Sequence, residues 1–465
     1  GILDLSLVSS LFLHVHLIML ARQISKGLVS SLSSCFSVPA LKVEDRVFPN
    51  IHGEEDWHFE SAVTRGSWGN MDMSPEDITE QVMLSELRGR GGAGFSTAQK
   101  WSFLKPLKKP KKNSKKPPQE RWLVINGDEG EPGTSKDRYI MLHDPHRLLH
   151  GTALAAKAIG SKKAAIYIRG EFKKEQEHVW TAIREAEARG LLGPDSETGV
   201  TIIVHTGAGA YVCGEETALL NSLEGRTGKP RNKPPYPASQ GLYKMPTIVN
   251  NVETVSSIPA IVQRGGEWFK SLGVEGSAGS KIMTLSGSIN NPCYWEDRMG
   301  VNLGEIINEK GQGVKEGEEV LMVLPGGLST YPIKGCDIGN VTMDYNALEK
   351  ANTALGTAGM IVLDTSDDLL HFLKRTAHFY WHETCRQCPV CIEGCDDMLS
   401  ILTALDDGTM PLEEHEAAFD RLVEITHRPH WQTICALADA STDALRGSLD
   451  MFRDRLEAEA KARLQ

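Results

Sequence analysis

The chain has 465 residues and 40% hydrophobic content, enough for about two to four domains at roughly 150 residues each, with real apolar cores. With 50 Lys and Arg against 61 Asp and Glu, its formal charge of −11 is opposite to the basic footprint of a nucleic-acid binder. Nine cysteines, four of them crowded into residues 385–395, argue against a disulfide frame and for thiolate–metal chemistry in a reducing compartment.

From Leu5 to Val43 there is no Asp or Glu, while Arg22, Lys26, Lys42 and many Ser and Leu residues appear. This composition predicts a mitochondrial transit peptide over residues 1–43, with Met19 as a candidate start. The apolar run Leu11–Leu20 is too short to span a bilayer and contains His14 and His16, so no membrane span is expected. The stretch DITEQVMLSEL reads as a helix and leads into RGRGGAGF, Arg88 to Phe95, which holds G-x-G-x-x-G at Gly89, Gly91 and Gly94. No strand precedes it, so it is not an ordinary dinucleotide turn. Its glycines still allow backbone N–H groups to converge on a phosphate or a flat ring, flanked by Arg88, Arg90 and Lys100. The competing reading is a plain surface loop. Residues 105–118, with seven Lys, four Pro and no acid, are expected to form a solvated loop.

From Arg121 to about Phe269, short β-rich runs alternate with helical ones: 122–126, a helix near 144–159, 164–169, a helix near 173–189, 201–206, then a helix from about 214. The alternation predicts an α/β layer of largely parallel strands, whose strand ends face a ligand crevice. The first strand runs into NGDEGEPGTSKDR, where Asn126, Asp128, Glu129 and Glu131 can bond ribityl or ribose hydroxyls, or simply build a polar turn. The third runs through a Gly-Ala loop into Glu215 and Glu216 at a helix start, where carboxylates suit a ligand's polar groups or merely complement the helix dipole. A Glu beside an adenosine ribose accepts from its 2′-OH and repels a 2′-phosphate, favouring NAD over NADP.

Residues 275–365 carry KIMTLSGSI, EVLMVLPGG and AGMIVL with a short helical stretch near 303–309, a separate small α+β unit. Beyond Asp367 apolar residues recur at helical spacing, as in Leu369, Leu370, Leu373, Ala377 and Tyr380, predicting packed helices. At the first joint between them, Cys385, Cys388 and Cys391 stand at the spacing that grips three corners of an iron–sulfur cube. A fourth ligand is expected from Cys435, leaving Cys395 spare. A zinc site using some of these cysteines with His382, His427 or His430 is the alternative.

Seven blocks taken in order, LRGRGGAGF, NGDEGEPGT, GAGAYVCGEETAL, GKPRNKPPYPA, VNNVETV, ALGTAGMIV and CRQC-PVC with QTICAL, resemble the flavoprotein subunit of respiratory complex I from about residue 41 to near the C-terminus. The resemblance implies a Rossmann-like FMN- and NADH-binding domain over 44–274, a ubiquitin-like (β-grasp) domain over 275–365, and a helical bundle over 366–465 holding a 4Fe–4S cluster. It implies FMN contacts from Gly89, Arg90, Gly91, Gly92, Lys100, Asn126, Asp128, Glu129, Gly214, Glu215, Val249, Asn250, Asn251 and Thr254. NADH contacts are implied for Phe95, Phe103, Glu131, Tyr211, Glu216, Lys233 and Tyr236, and the cluster on Cys385, Cys388, Cys391 and Cys435. It also implies hydride transfer from NADH to FMN without a catalytic acid or base, then single electrons to the cluster and onward towards ubiquinone. The implied partners are other complex I subunits, especially the 2Fe–2S thioredoxin-like subunit and the large iron–sulfur subunit, on the matrix side of the inner mitochondrial membrane. A diaphorase subunit of an NAD-linked hydrogenase or formate dehydrogenase, including a hydrogenosomal one, resembles the same motifs; a zinc-stapled non-catalytic scaffold is the rival of another class. The chain departs from the family pattern at Ser96, at Tyr236, where Phe is usual, at Arg386, Pro389, Val390 and Ile392 of the cysteine loop, and in its lysine-rich insert.

Overall fold

The computed structural model describes residues 38–105, 120–428 and 433–464. Most of the expected presequence, nearly all of the lysine-rich run and His430 lie outside the described residues.

Four strands form the first sheet: β1 (Trp122–Gly127), β2 (Lys163–Ile168), β3 (Thr201–Thr206) and β4 (Thr247–Asn251). Their order is β3-β2-β1-β4, every pair parallel, which is the mixed α/β layer that the alternation predicts. Runs such as WLVI and AAIYI are buried on both faces, as parallel strands covered by helices require. The covering helices Pro145–Ile159 and Val252–Arg264 pack so closely that a Cβ at Gly151 would stand 1.9 Å from the Val255 carbonyl oxygen. β4 is not foreseen from the sequence, because its five residues end in two asparagines that read as a turn. Its position on the far side of β1 from β2 creates the switch point of the sheet, where the strand order reverses and ligands bind. The helix expected from about 214 begins at Glu216, after a single 3-10 turn over Tyr211–Gly214.

The second sheet contains β5 (Ser280–Gly287), β6 (Cys293–Arg298), β7 (Val320–Leu324), β8 (Ile333–Lys334) and β9 (Gly359–Asp364) in the order β6-β5-β9-β7-β8. The central pair β5 and β9 is parallel and the other pairs are antiparallel. β6 is equally hidden in the sequence, since CYWEDR carries three charges in six residues. Those acids are buried: Glu296 accepts the backbone N–H groups of Val47 (2.8 Å) and Phe48 (2.9 Å), which straps the N-terminal segment across the sheet.

Four helices complete the described chain: Leu369–Glu383, Pro389–Asp406, His415–Thr426 and Leu437–Ala462. They enclose Leu373, Tyr380, Leu402, Phe419, Leu422 and Leu445 in a common core, which Met322 and Leu324 of β7 extend. Among the described residues no helix is long and apolar enough to cross a membrane.

Candidate functional site

At the switch point between β1 and β4, a cleft with a cavity volume of about 850 Å³ opens over the carboxyl ends of both strands. That is within the range of sites that enclose a cofactor-sized ligand. Asn126, Val249, Asn250 and Asn251 form its floor, and Gly89, Gly91, Lys100 and Thr254 form one wall. Gly214, Glu215, Glu216 and Lys233 form the opposite wall. Gly91 rests on Asn251, close enough that a Cβ there would meet the Asn251 Cβ at 3.1 Å. Gly92 (φ 118°) and Gly94 (φ 62°) take the left-handed backbone that turns the loop, and a Cβ on Gly94 would strike the Tyr345 ring at 2.5 Å. Gly92 and Gly94 require glycine, and Gly91 leaves room for little more.

Phe95, Phe103 and Tyr236 line the same cleft and are 44%, 54% and 60% exposed. The two Phe rings stand 5.8 Å apart at 44°. Aromatic faces left open at a cleft mouth are stacking surfaces for a flat ring.

The charges of the cleft pair with one another. Lys100 Nζ lies 3.0 Å from Glu216 Oε2, and Lys233 Nζ lies 2.9 Å from Glu215 Oε1 and 3.6 Å from Glu216 Oε1. Burial raises the Glu216 pKa, but Lys100 and Lys233 outweigh it and hold the carboxyl below its usual range. Glu215 also caps the helix it precedes, accepting from the N–H groups of Thr217 (2.8 Å) and Ala218 (2.9 Å).

The remaining residues expected at the site lie outside the cavity wall. Arg90 turns its side chain inward to the carbonyls of Ala278 and Ser280. Glu129 accepts three backbone N–H groups, from Lys136 (2.6 Å), Asp137 (3.0 Å) and Arg138 (3.0 Å). The Asp128 carboxyl is half-buried beside Arg169, and desolvation, outweighing Arg169, pushes it up to about 7. Glu131 accepts from the Tyr211 hydroxyl (2.7 Å) and the Ser329 N–H (2.8 Å), with burial raising its pKa against both bonds. Sequence reading misses Trp101, whose indole N–H donates to Asn250 Oδ1 at 3.0 Å and steadies the floor. It also misses Pro237, Ala238 and Ser239 of the rim. A buried Trp in a short helix beside a glycine loop carries no periodic signal.

Next to the cleft lies the cysteine loop. Cys385 and Cys388 occupy the turn between Leu369–Glu383 and Pro389–Asp406, Cys391 stands in the first turn of the latter helix, and Cys435 precedes the last helix. All four are free thiols and half-buried or buried. Burial lifts the Cys435 thiol to about 11, and the neighbouring Cys385, Glu215 and Cys391 add to the rise. Cys391 is brought down to about 7, chiefly by a hydrogen bond from Cys395, against burial. The Ile434 N–H approaches Cys388 Sγ at 3.5 Å and the Thr384 hydroxyl lies 3.3 Å from Cys391 Sγ. Four thiols of this kind with N–H and O–H groups at the sulfurs are the donor set that iron–sulfur clusters use. His382 is engaged with Glu383 at 3.1 Å and His427 with the Val423 carbonyl at 2.9 Å. Among the described residues no three His, Cys, Asp or Glu side chains gather round one point as a single metal ion needs.

Cleft and cysteines share a wall. Tyr211 N–H donates to Glu383 Oε2 at 2.9 Å, Gln387 donates to the Pro230 carbonyl at 3.0 Å, and Glu215 faces both the cavity and Cys435.

The family described as Nuo51 FMN-binding domain matches residues 82–260, and the NADH-ubiquinone oxidoreductase-F iron-sulfur binding region matches residues 371–459. The F subunit of NADH-quinone oxidoreductase in Rickettsia massiliae (strain Mtu5) is 43% identical, over 91% of this chain and 99% of the relative. The F 1 subunit of the same enzyme in Rhizobium meliloti (strain 1021) is 42% identical, over 90% of this chain and 95% of the relative. A solved NAD+-reducing NiFe-hydrogenase in the H2-reduced state is similar with a TM-score of 0.72 and 32% identity, covering 84% of this chain and 63% of that one. Likeness at that level to the bacterial proteins, along nearly their whole length, means that the chain belongs to the family of NADH-quinone oxidoreductase F subunits.

Proposed function

We propose that the cleft is where NADH is oxidised, and that the chain is the NADH dehydrogenase flavoprotein subunit of an NADH-quinone oxidoreductase. What carries the reading is the adjacency of a cofactor-sized cleft, built on a glycine loop at a switch point, to four thiols across one shared wall. Bound there, FMN and a 4Fe–4S cluster would supply the redox chemistry, hydride acceptance from NADH and one-electron release.

The protein's task would be to bring the reacting atoms within about 3–3.5 Å of each other and to exclude water. Gly89, Gly91, Gly92, Asn126, Gly214, Val249, Asn250, Asn251 and Thr254 are the proposed flavin contacts, with Arg90, Asp128 and Glu129 shaping the loops behind them. Phe95, Phe103 and Tyr236 sandwich the adenine, while Glu216 reads its ribose and Lys233 orients Glu216. Glu131 and Tyr211, bonded to each other outside the cavity wall, are the remaining proposed nucleotide residues. Lys100 and Glu215 complete the polar wall. Cys385, Cys388, Cys391 and Cys435 hold the cluster.

The domains fall at 44–274, 275–365 and 366–465. The middle one is a β-grasp unit, a reading that its order β6-β5-β9-β7-β8 with a parallel central pair supports. The last is a helical bundle. The chain docks with other components of a peripheral arm, above all the 2Fe–2S thioredoxin-like and large iron–sulfur subunits. The acid-free composition of residues 5–43 supports delivery to the mitochondrial matrix, although the Rickettsia and Rhizobium relatives are bacterial. A fluorescent reporter fused to residues 1–43 that stays in the cytosol overturns that delivery.

The hydrogenase neighbour motivates a second reading, a diaphorase subunit. Purifying the tagged chain with its native partners separates them: a quinone-reducing membrane complex supports the first reading, and a soluble hydrogenase replaces it with the second.

A further inference from the structure

Behind the glycine loop lies a set of buried charges that the flavin reading does not use. Arg90 donates through its guanidinium to Ala278 O (2.8 Å) and Ser280 O (3.0 Å), and through its backbone N–H to Thr254 Oγ1 (2.8 Å). Its own carbonyl also turns inward, towards Lys281 Nζ at 3.3 Å. Lys281 belongs to β5 of the other sheet and is fully buried.

The network continues towards the cavity floor. Lys281 Nζ lies 3.2 Å from Glu253 Oε2, which lies 3.1 Å from Lys136 Nζ. Lys136 Nζ donates to Asn251 Oδ1 (3.1 Å) and to Asp137 Oδ1 (2.7 Å), and Asp137 Oδ2 accepts from Asn251 Nδ2 (2.7 Å). Both ends of the Asn251 amide and the Arg90 carbonyl are thus gripped by one connected group. Burial depresses Lys281 to about 8 while Glu253 opposes the fall.

Buried ion pairs recover little stability over apolar side chains of the same size, because removing both charges from water costs what their attraction returns. What the charges do that apolar residues could not is aim a carbonyl. In a trans peptide the C=O and the following N–H point to opposite sides. A carbonyl of Arg90 anchored on the buried side therefore turns the N–H of Gly91, which lines the cavity, towards the ligand.

We infer that Lys281 is a positioning residue for FMN: from the second sheet it fixes the Arg90–Gly91 peptide so that its N–H serves the flavin, while Glu253 and Lys136 hold Asn251 in register with it. This rests on the reading of the cleft as an FMN site. Loop and floor are set from opposite sheets, so the junction of the two sheets determines flavin affinity.

The test uses the full chain with its cluster in place, comparing wild type, Lys281→Met, and the double variant Lys281→Met with Glu253→Gln, which leaves no unpaired buried carboxylate. FMN affinity is read from quenching of flavin fluorescence, thermal unfolding is followed without flavin, and KM for NADH is measured at saturating FMN. Both variants are expected to bind FMN at least tenfold more weakly, to unfold within a few degrees of wild type, and to keep the KM for NADH. Wild-type FMN affinity in the double variant overturns the proposal, as does a loss of affinity matched by loss of the fold. Failure of the wild-type chain itself to bind FMN strikes instead at the reading of the cleft and takes this inference with it.

Discussion

Lys100 Nζ sits 3.0 Å from Glu216 Oε2, so a lysine lining the cleft is already partnered by the carboxylate proposed to read the ribose. Removing Glu216 has two consequences: Lys100 and Lys233 lose a counter-charge, and the barrier against a 2′-phosphate disappears. Glu216→Ala is therefore expected to raise kcat/KM for NADPH relative to NADH about tenfold, a change of about 1.4 kcal/mol. Steady-state kinetics with both nucleotides check it, and an unchanged ratio removes Glu216 from that role.

Three open aromatic faces at the cleft mouth predict a second effect. Stacking of a base on an aromatic ring is worth about 1–3 kcal/mol by alanine substitution. Phe103→Ala should raise KM for NADH by roughly 5- to 100-fold with little change in kcat, whereas Tyr236→Phe keeps the stacking face and leaves KM within about twofold. Equal KM values for wild type and Phe103→Ala would show that the base lies elsewhere.

The cysteine set gives a prediction that separates ligand from neighbour. Cys435→Ser is expected to abolish the low-temperature EPR signal of the reduced cluster and to lower bound iron. Cys395→Ser should retain both, since Cys395 acts through its hydrogen bond to Cys391. The opposite pair of results would exchange the two cysteines in the ligand set.

Asp128 sets a pH dependence of known sign. Burial raises its carboxyl from an ordinary 3.8 to about 7, so the folded chain holds this proton more tightly than the unfolded one. Its contribution to stability therefore falls as pH rises from about 4 to about 7 and is level above that. Asp128→Asn, which cannot ionise, should gain on wild type across that window, by more at pH 7 than at pH 5. Thermal unfolding of both proteins from pH 5 to 8 measures the gap; a gap that narrows with rising pH contradicts the burial argument.

Much of this architecture is legible in the sequence because it rests on local pattern. β1, β2 and β3 are continuous apolar runs, and the helices at 145–159 and 173–188 fall within a residue of expectation. The elements missed are those whose local chemistry argues against them. β4 ends in Asn250 and Asn251, turn formers that here make the ladder and floor the cavity. β6 carries Glu296 and Asp297, which are buried because they also accept from backbone N–H groups some 250 residues away in sequence, at Val47, Phe48 and Leu41. The same limit applies at the site. Carboxylates at strand ends read alike in sequence, yet Glu216 faces the cleft while Glu129 is consumed by three backbone N–H groups. Lys281 and Glu253 look like isolated charges in apolar runs, and only the apposition of the two sheets pairs them.

The most direct measurement is the rate of NADH:ferricyanide reduction by the purified chain after reconstitution with FMN, iron and sulfide under anaerobic conditions. The account predicts a yellow-brown protein carrying about one FMN per chain that oxidises NADH, and that loses the activity when FMN is stripped. A protein that carries flavin and iron in those amounts yet leaves NADH unoxidised would contradict it.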